Sequence, residues 1–365
     1  MENDVLYQVA ITMIPKVGAV TARNLISYCG GLEAVFRASK KELMRVPGIG
    51  AQLAKNILDS SALQQAEKEL LFMERQGIQA LFYLDKAYPD RLRPYPDSPI
   101  LLYYKGAEDL NSLRTVAVIG TRKPSPYGVH LCEELIAGLA PYGATIISGL
   151  AYGIDVTAHR KSVEVGLPTL GVLAHGLCRI YPAVHRSIAR QMLDKGGLLT
   201  EYPSEEEPLR EHFPMRNRIV AGLCDALVVV ETGKGGGSII TANFANEYNK
   251  DVFAFPGRVS DVHAQGGHHL IKSHRAALIE NAEDLAYIMG WGEEHQPKAV
   301  QQQLFVELSP DEKLIVDLLR QHEGASIDKL TYESRMTGSF MAAVLLNLEF
   351  KGIIRSLPGK RYMLL

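Results

Sequence analysis

The chain has 365 residues, with 39 Lys and Arg against 41 Asp and Glu, a formal charge of −2 and 47% hydrophobic residues. That length predicts two or three domains, and the apolar content excludes wholesale disorder. Near-neutral charge excludes a protein that is basic all over, but it leaves room for a local basic groove.

No run of residues approaches the roughly 18 apolar positions of a membrane span. The polar start Met1-Glu2-Asn3-Asp4 lacks the form of a secretory signal. Cys29, Cys132, Cys178 and Cys224 make neither a CxxC pair nor a disulfide framework. A reduced, cytoplasmic setting away from membranes is the expectation.

Along the chain, residues 1–75 contain a repeat: Ile14-Pro15-Lys16-Val17-Gly18-Ala19 lines up with Val46-Pro47-Gly48-Ile49-Gly50-Ala51. Each copy lies between apolar helical segments, and the pair resembles a tandem helix-hairpin-helix (SAM-like) module. Such a turn offers backbone N–H groups to a phosphate without regard to base. Residues 1–60 hold seven basic and five acidic residues, too small an excess to choose between DNA contact and plain packing. The second copy has Gly48 where the first has Lys16, so one hairpin departs from the pattern. Residues 76–113 carry Tyr88-Pro89, Arg93-Pro94-Tyr95-Pro96 and Ser98-Pro99; X-Pro steps favour extended, irregular chain, which predicts a connector packing on the core.

Residues 114–292 alternate strand, loop and helix. Strands are expected at Thr115–Gly120, Ala144–Ser148, Thr169–Ala174, Gly197–Tyr202, Ala226–Glu231 and Val252–Phe255, with helices such as Tyr127–Leu139, Ile154–Val165 and Ser238–Tyr248. Continuous apolar strands fit a mostly parallel sheet covered on both faces, so this is an α/β, Rossmann-like, doubly wound domain. Gln-rich residues 293–306 read as a linker. Residues 307–365 then predict a winged helix: Ser309–Gln321 with Ser309 as cap, Ser326–Arg335, Thr337–Lys351 and an apolar hairpin. Thr337–Glu349 has no Lys or Arg, which favours protein packing over base reading by that helix.

Ligands of open α/β sheets collect beyond the C-terminal strand ends. In Val118-Ile119-Gly120-Thr121-Arg122-Lys123-Pro124-Ser125, Arg122 and Ser125 stand where a dinucleotide fingerprint needs glycine. No NAD or FAD, and no cofactor of any kind, is expected. Arg122 and Lys123 instead offer donors to a phosphate or base edge, or to a surface carboxylate. The loop Ser148-Gly149-Leu150-Ala151-Tyr152-Gly153 leads to Asp155 and His159, four apart on one helical face; an acid–base couple is conceivable, a structural pair the commoner reading. Glu231–Ser238 is a Gly-rich strand-to-helix junction suited to an anion, yet it has no Walker A spacing. Arg210-Glu211-His212-Phe213-Pro214-Met215-Arg216-Asn217-Arg218 has the composition of a single-strand surface, with Phe213 to stack and arginines to follow the backbone. The competing reading puts Phe213 in the core and the arginines in internal salt bridges. Pro214 biases Phe213 toward extended backbone. His263, His268, His269 and His274 lie at no metal-ligand spacing and read as a solvated Gly-rich loop.

Val118–Arg122, Ser148–Asp155 with Ala158-His159, Tyr181-Pro182, Phe213–Arg218, Gly237–Ala242 and Pro256-Gly257 occur in order. Together they closely resemble the DprA/Smf family of DNA-processing proteins. The resemblance implies a protein that binds single-stranded DNA, protects it during natural transformation, hands it to the RecA recombinase, and forms a homodimer through its Rossmann-like domain. It implies a binding pocket of Arg122, Ser148, Gly149, Phe213, Arg216, Asn217 and Arg218, with Gly237 and Ser238 nearby. Lys123 joins them from its loop, and Arg210 at the basic position before the Phe. No catalytic residue and no metal are implied. Gly266-Gly267-His268 and His274-Arg275 depart from the family's usual Gly-Cys-Asn and Gly-Ala. The alternative is a Rossmann-like hydrolase of nucleoside monophosphates, but Thr241-Ala242 stand where its catalytic Glu is expected.

Overall fold

The computed structural model describes residues 2–59, 61–292, 308–322, 324–357 and 359–364. The expected linker, 293–306, lies outside the described residues. The chain divides into two compact units, Met1–Glu293 and Glu294–Leu365.

In the first unit, nine strands form one sheet. They are β1 (Gln79–Phe82), β2 (Leu101–Gly106), β3 (Thr115–Ile119), β4 (Thr145–Ser148), β5 (Thr169–Val172), β6 (Gly197–Thr200), β7 (Ala226–Val229), β8 (Asp251–Ala254) and β9 (Ala277–Leu278). Their order is β1-β2-β6-β5-β4-β3-β7-β8-β9. From β6 to β9 every neighbouring pair is parallel, whereas β1 and β2 run antiparallel. The chain starts its parallel sheet at β3, winds outward through β4 to β6, then returns to the far side of β3 for β7. Strand order therefore reverses around β3, which opens a crevice at the C-terminal strand ends there.

Strand side chains alternate between two cores. Val116 and Val118 of β3 pack with Cys132, Leu135, Ala158 and Leu285 from helices on one face. Ala117 and Ile119 pack with Ile219, Leu223, Ala242 and Leu270 on the other. Both faces are covered, which is why these strands read as unbroken apolar runs.

The proline-rich segment is not all irregular. Its X-Pro steps lie between β1 and β2, where the chain does make turns, but the flanking residues are strands. Leu102 and Tyr104 join the α/β core while Leu101 and Tyr103 turn to the helical module. Burial on both sides removes the polar alternation that announces a strand.

The N-terminal helices Glu2–Thr12, Ala19–Cys29, Ala51–Leu58 and Ala62–Gln76 share a core with Phe82, Leu101 and Tyr103. Gly18 and Gly50 cap the second helix of each hairpin with matching extended backbone, φ −90° and −87°. Lys16 takes φ +66° where Gly48 has +84°, so the departure in sequence leaves the turn intact at the cost of a side chain in left-handed backbone. Arg23 donates to Tyr95 O (3.2 Å), Pro96 O (2.6 Å) and Ser98 O (3.2 Å), tying this module to the proline-rich turns.

In the second unit, helices Pro310–Gln321, Ile327–Ser334 and Gly338–Phe350 pack with a small antiparallel sheet of β10 (Ala325–Ser326), β11 (Ile354–Leu357) and β12 (Arg361–Leu364). Ser309 and Glu312 form a reciprocal capping box at its start. Ile315, Leu319, Leu330, Met341, Leu345 and Leu348 make its core.

Candidate nucleic-acid interface

Three loops meet at the crevice beside β3. Thr121 N–H donates to Glu231 O (2.7 Å), and Ile154 N–H donates to Thr121 O (3.2 Å), linking the ends of β3, β4 and β7. Glu231 is buried and accepts from the Ser125 N–H (2.9 Å) and hydroxyl (2.6 Å). Ser125 in turn caps the helix Pro126–Leu139. Ser125, one of the two residues that break the dinucleotide fingerprint, is thus an N-cap pinned by a carboxylate just beyond β7. Gly153, at φ +80°, lies against this loop; a Cβ there would strike Thr121 O and sit 2.7 Å from the Arg122 carbonyl carbon. Close approach of the two backbones is what requires glycine.

Arg122 and Lys123 are exposed on the rim. The Arg122 guanidinium lies 5.4 Å from the centroid of the Phe213 ring, and the Tyr181 ring lies 6.0 Å from the same ring at 60°. Phe213 is half-buried, Tyr181 48% exposed. This joins a cation and two aromatic rings on one surface, with Arg210 exposed just before the helix carrying Phe213.

That helix spans His212–Leu223, so Phe213 is helical and not extended. Pro214 sits in the first turn, where its missing N–H costs no hydrogen bond, and the bias on its predecessor is overridden.

Arg216 and Arg218 do not share the rim. Arg216 is 4% exposed. It donates to Gly149 O (2.6 Å), just beyond β4, to Val172 O, at the end of β5, and to Asn217 Oδ1 (3.3 Å). Burial pulls its pKa down to about 10, opposed by the nearby Asp155 carboxylate, and it stays charged at neutral pH. Gly149 packs directly under this guanidinium, leaving no room for a Cβ. Arg218 is 7% exposed and forms a 2.5 Å ion pair with Glu201. Of Arg122, Arg216 and Arg218 only the first is exposed; the other two lie beneath the rim and brace the helix from within.

Ser148 is fully buried and donates to Val118 O (2.6 Å), joining β4 to β3. Ser238 is buried and donates to Thr232 Oγ1 (2.6 Å), which closes the Gly-rich loop on itself. Gly237 is exposed at the start of the helix Gly237–Glu247, and Asn217 is half-buried. Asp155 and His159 are no acid–base couple. Asp155 accepts from Ala151 N–H (3.3 Å), and burial raises its pKa against the pull of Arg216. His159 Nδ1 donates to Thr169 Oγ1 (2.7 Å), whose hydroxyl is given to Ile146 O (3.0 Å). Its pKa falls to about 3, chiefly through burial, so the ring is neutral.

Of the histidine-rich segment, His268 and His269 lie on a helix, Gln265–Lys272, instead of a loop, while His263 and His274 stand in the turns that flank it. Gly266 N–H donates to Thr232 O (2.8 Å), docking it behind the Gly-rich loop, and His268 Nε2 pairs with Gly257 O (3.0 Å). Among the described residues no group of His, Cys, Asp or Glu is placed to hold a metal ion. His274 takes φ +55°, the conformation for which the family's usual glycine is suited. Sequence reasoning missed Tyr181 as a rim residue, and Glu231 as the anchor of the Arg122 loop. In the sequence Tyr181 stands only in a Tyr-Pro pair, and its neighbour Phe213 lies far along the chain.

Comparison with known proteins bears on all three regions. The family model for DNA recombination-mediator protein A matches residues 79–290, more than half of the chain. A SAM-like helix-hairpin-helix tandem matches 9–62, and the DprA winged helix domain matches 299–360. Protein Smf of Synechocystis is 30% identical over 98% of both chains. DNA processing protein DprA of Streptococcus pneumoniae is 35% identical over 68% of this chain and 92% of its own. The crystal structure of the S. pneumoniae protein superposes with a TM-score of 0.68 at 31% identity, covering 77% of this chain and 97% of that one. A Helicobacter pylori DNA processing protein A structure, described for its single-stranded DNA binding mode, gives 0.54 at 28% identity, with 59% and 96% covered. By motif, domain order and fold, the chain belongs to the DprA/Smf family.

Proposed function

We propose that the chain binds single-stranded DNA at the rim formed by Arg122, Lys123, Arg210 and Phe213, protects the strand, and loads the RecA recombinase onto it during natural transformation and recombination. The observation that carries this is the Arg122 guanidinium 5.4 Å over the Phe213 ring at a sheet crevice. An unpaired base can stack on such a ring while the cation holds a flanking phosphate. Every base has a π-face, so little sequence preference follows. Asn217 and the Gly237 backbone border this rim, while Ser148, Gly149, Arg216, Arg218 and Ser238 support it from beneath.

The protein acts by binding rather than turnover. The hydrolase alternative lacks a carboxylate where it needs one, since the buried Thr241 and Ala242 occupy that place. A cytoplasmic homodimer formed through the Rossmann-like domain completes the reading. No helix among the described residues is long and apolar enough to cross a membrane. The outer face of helix Gly338–Phe350, which has no Lys or Arg and leaves Phe340 48% and Phe350 82% exposed, favours protein contact for the winged helix.

Fluorescence anisotropy with labelled oligo-dT across a salt series tests the site. For single strands log affinity falls with log salt by about 0.7 per phosphate neutralised. Arg122→Ala is expected to weaken binding and flatten that slope. A folded variant with unchanged affinity and slope would remove Arg122 from the interface.

A further inference from the structure

Beyond the rim, the surface continues in the same chemistry. Tyr181 adjoins Phe213 on one side and leads along the chain to the helix Arg186–Gln191. Tyr152, 50% exposed, packs its ring 5.1 Å from His185, the residue preceding Arg186. His185 is fixed in turn by its Nδ1 contact with Leu150 O (2.9 Å), in the loop whose Gly149 carbonyl Arg216 holds. Tyr152 and the start of this helix are therefore tied to the Gly149–Gly153 loop, against which both the Arg122 loop and the helix carrying Phe213 pack, and Tyr181 reaches Phe213 through its ring.

Arg186 and Arg190 are both exposed. Four residues apart, they lie on one helical face. Neither has an ion-pair or hydrogen-bond partner among the described residues. Some arginines of this unit face carboxylates, Arg91 with Asp225, Arg93 with Asp90, Arg179 with Glu207 and Arg218 with Glu201, whereas Arg186 and Arg190, like Arg122 and Arg210 of the rim, have no such partner among the described residues. Two adjacent cations left without carboxylates, next to exposed aromatic rings, form an electrostatic track with stacking platforms.

We propose that the single-stranded DNA path extends from the Arg122–Phe213 pair over Tyr181 and Tyr152 to Arg186 and Arg190, which hold the phosphates of a second stretch of the same strand. The extension rests on the reading that Arg122 and Phe213 engage the strand. Its chemistry fits an unpaired strand: the rings take bases, and the arginines take backbone charge without base contacts.

The test uses the full chain and oligo-dT of two lengths, about 4 and about 16 nucleotides, which bracket the site sizes of single-strand grooves. Anisotropy is read at several salt concentrations for wild type, Arg186→Ala/Arg190→Ala, its Glu counterpart and Arg122→Ala. The double Ala variant is expected to bind the short oligomer as wild type does. On the long one it should lose affinity several-fold, with a salt slope shallower by about 1.4, two contacts at about 0.7 each; the Glu variant should lose more. Unchanged affinity and slope on the long oligomer would overturn the extension, and a loss confined to Arg122→Ala would leave the rim standing without it. Insensitivity of Arg122→Ala, with a loss in the Arg186/Arg190 variants, would move the strand off the rim instead. Melting curves matching wild type exclude misfolding as the source of any loss.

Discussion

The ion pair between Arg218 and Glu201 separates a structural arginine from a DNA-contacting one. The two side chains are 8% and 17% exposed at a separation of 2.5 Å. Burial raises the Glu201 pKa, and Arg218 holds it back. Removing Arg218 leaves a buried carboxylate without its counter-charge, which costs about 3–5 kcal/mol. At about 2–4 °C per kcal/mol for a large domain, Arg218→Ala should melt roughly 6–20 °C below wild type. Arg218→Met combined with Glu201→Gln should recover most of that loss, because a buried pair replaced as a unit is often neutral. Calorimetry and anisotropy on the same samples decide the matter. At a temperature where Arg218→Ala is folded, its oligo-dT affinity and salt slope should stay near wild type. A variant that melts normally but loses affinity and salt dependence would refute the internal role and return Arg218 to the interface.

Gly153→Ala should lower stability by about 1–3 kcal/mol, since its backbone at φ +80° and the Thr121 carbonyl both oppose a Cβ; displacement of the Arg122 loop should weaken oligo-dT binding as well, read by melting and anisotropy. His159 has a folded pKa of about 3, below its unfolded value near 6.5, so its neutral form stabilises the fold above pH 6.5, and that contribution fades as pH falls toward 3 at about 1.4 kcal/mol per unit. Urea titrations at pH 7 and pH 5 should therefore show a smaller acid loss in His159→Gln than in wild type; equal losses would contradict a buried neutral ring. Lys16→Gly should gain about 0.5–1 kcal/mol, the left-handed penalty of about 1–2 kcal/mol less the entropy cost of glycine, and a lower melting temperature would contradict strain at that turn.

The parallel strands were legible because burial on both faces writes itself as continuous apolar runs: Thr115–Ile119, Thr145–Ser148 and Ala226–Val229 lie within the expected spans. Helix Ile154–Val165 and the Ser309 cap follow from equally local signals. β1 and β2 escaped notice because prolines crowd the turn between them and neither strand alternates. The site divides along the same line. Arg122 and Phe213 stand in loops and first turns, where composition speaks directly. The fates of Arg216 and Arg218 depend on Gly149 O, Val172 O and Glu201. Two of these are backbone carbonyls without a residue signature, and the third lies on another element. Lys16 and His274 show that left-handed turns can persist after glycine is lost, so a motif mismatch there did not mean a different backbone.

Replacing Phe213 tests the proposed interface most directly. Its ring is half-buried, touched by Arg122 and Tyr181, so truncation removes the stacking face without opening the central core. Equilibrium titration of the full-length Phe213→Ala variant with oligo-dT should show an affinity lower by about 5- to 150-fold, the worth of about 1–3 kcal/mol for one stacked base. Phe213→Trp should retain binding, and both variants should melt near wild type. Wild-type affinity in a folded Phe213→Ala protein would contradict the claim that this surface receives the strand.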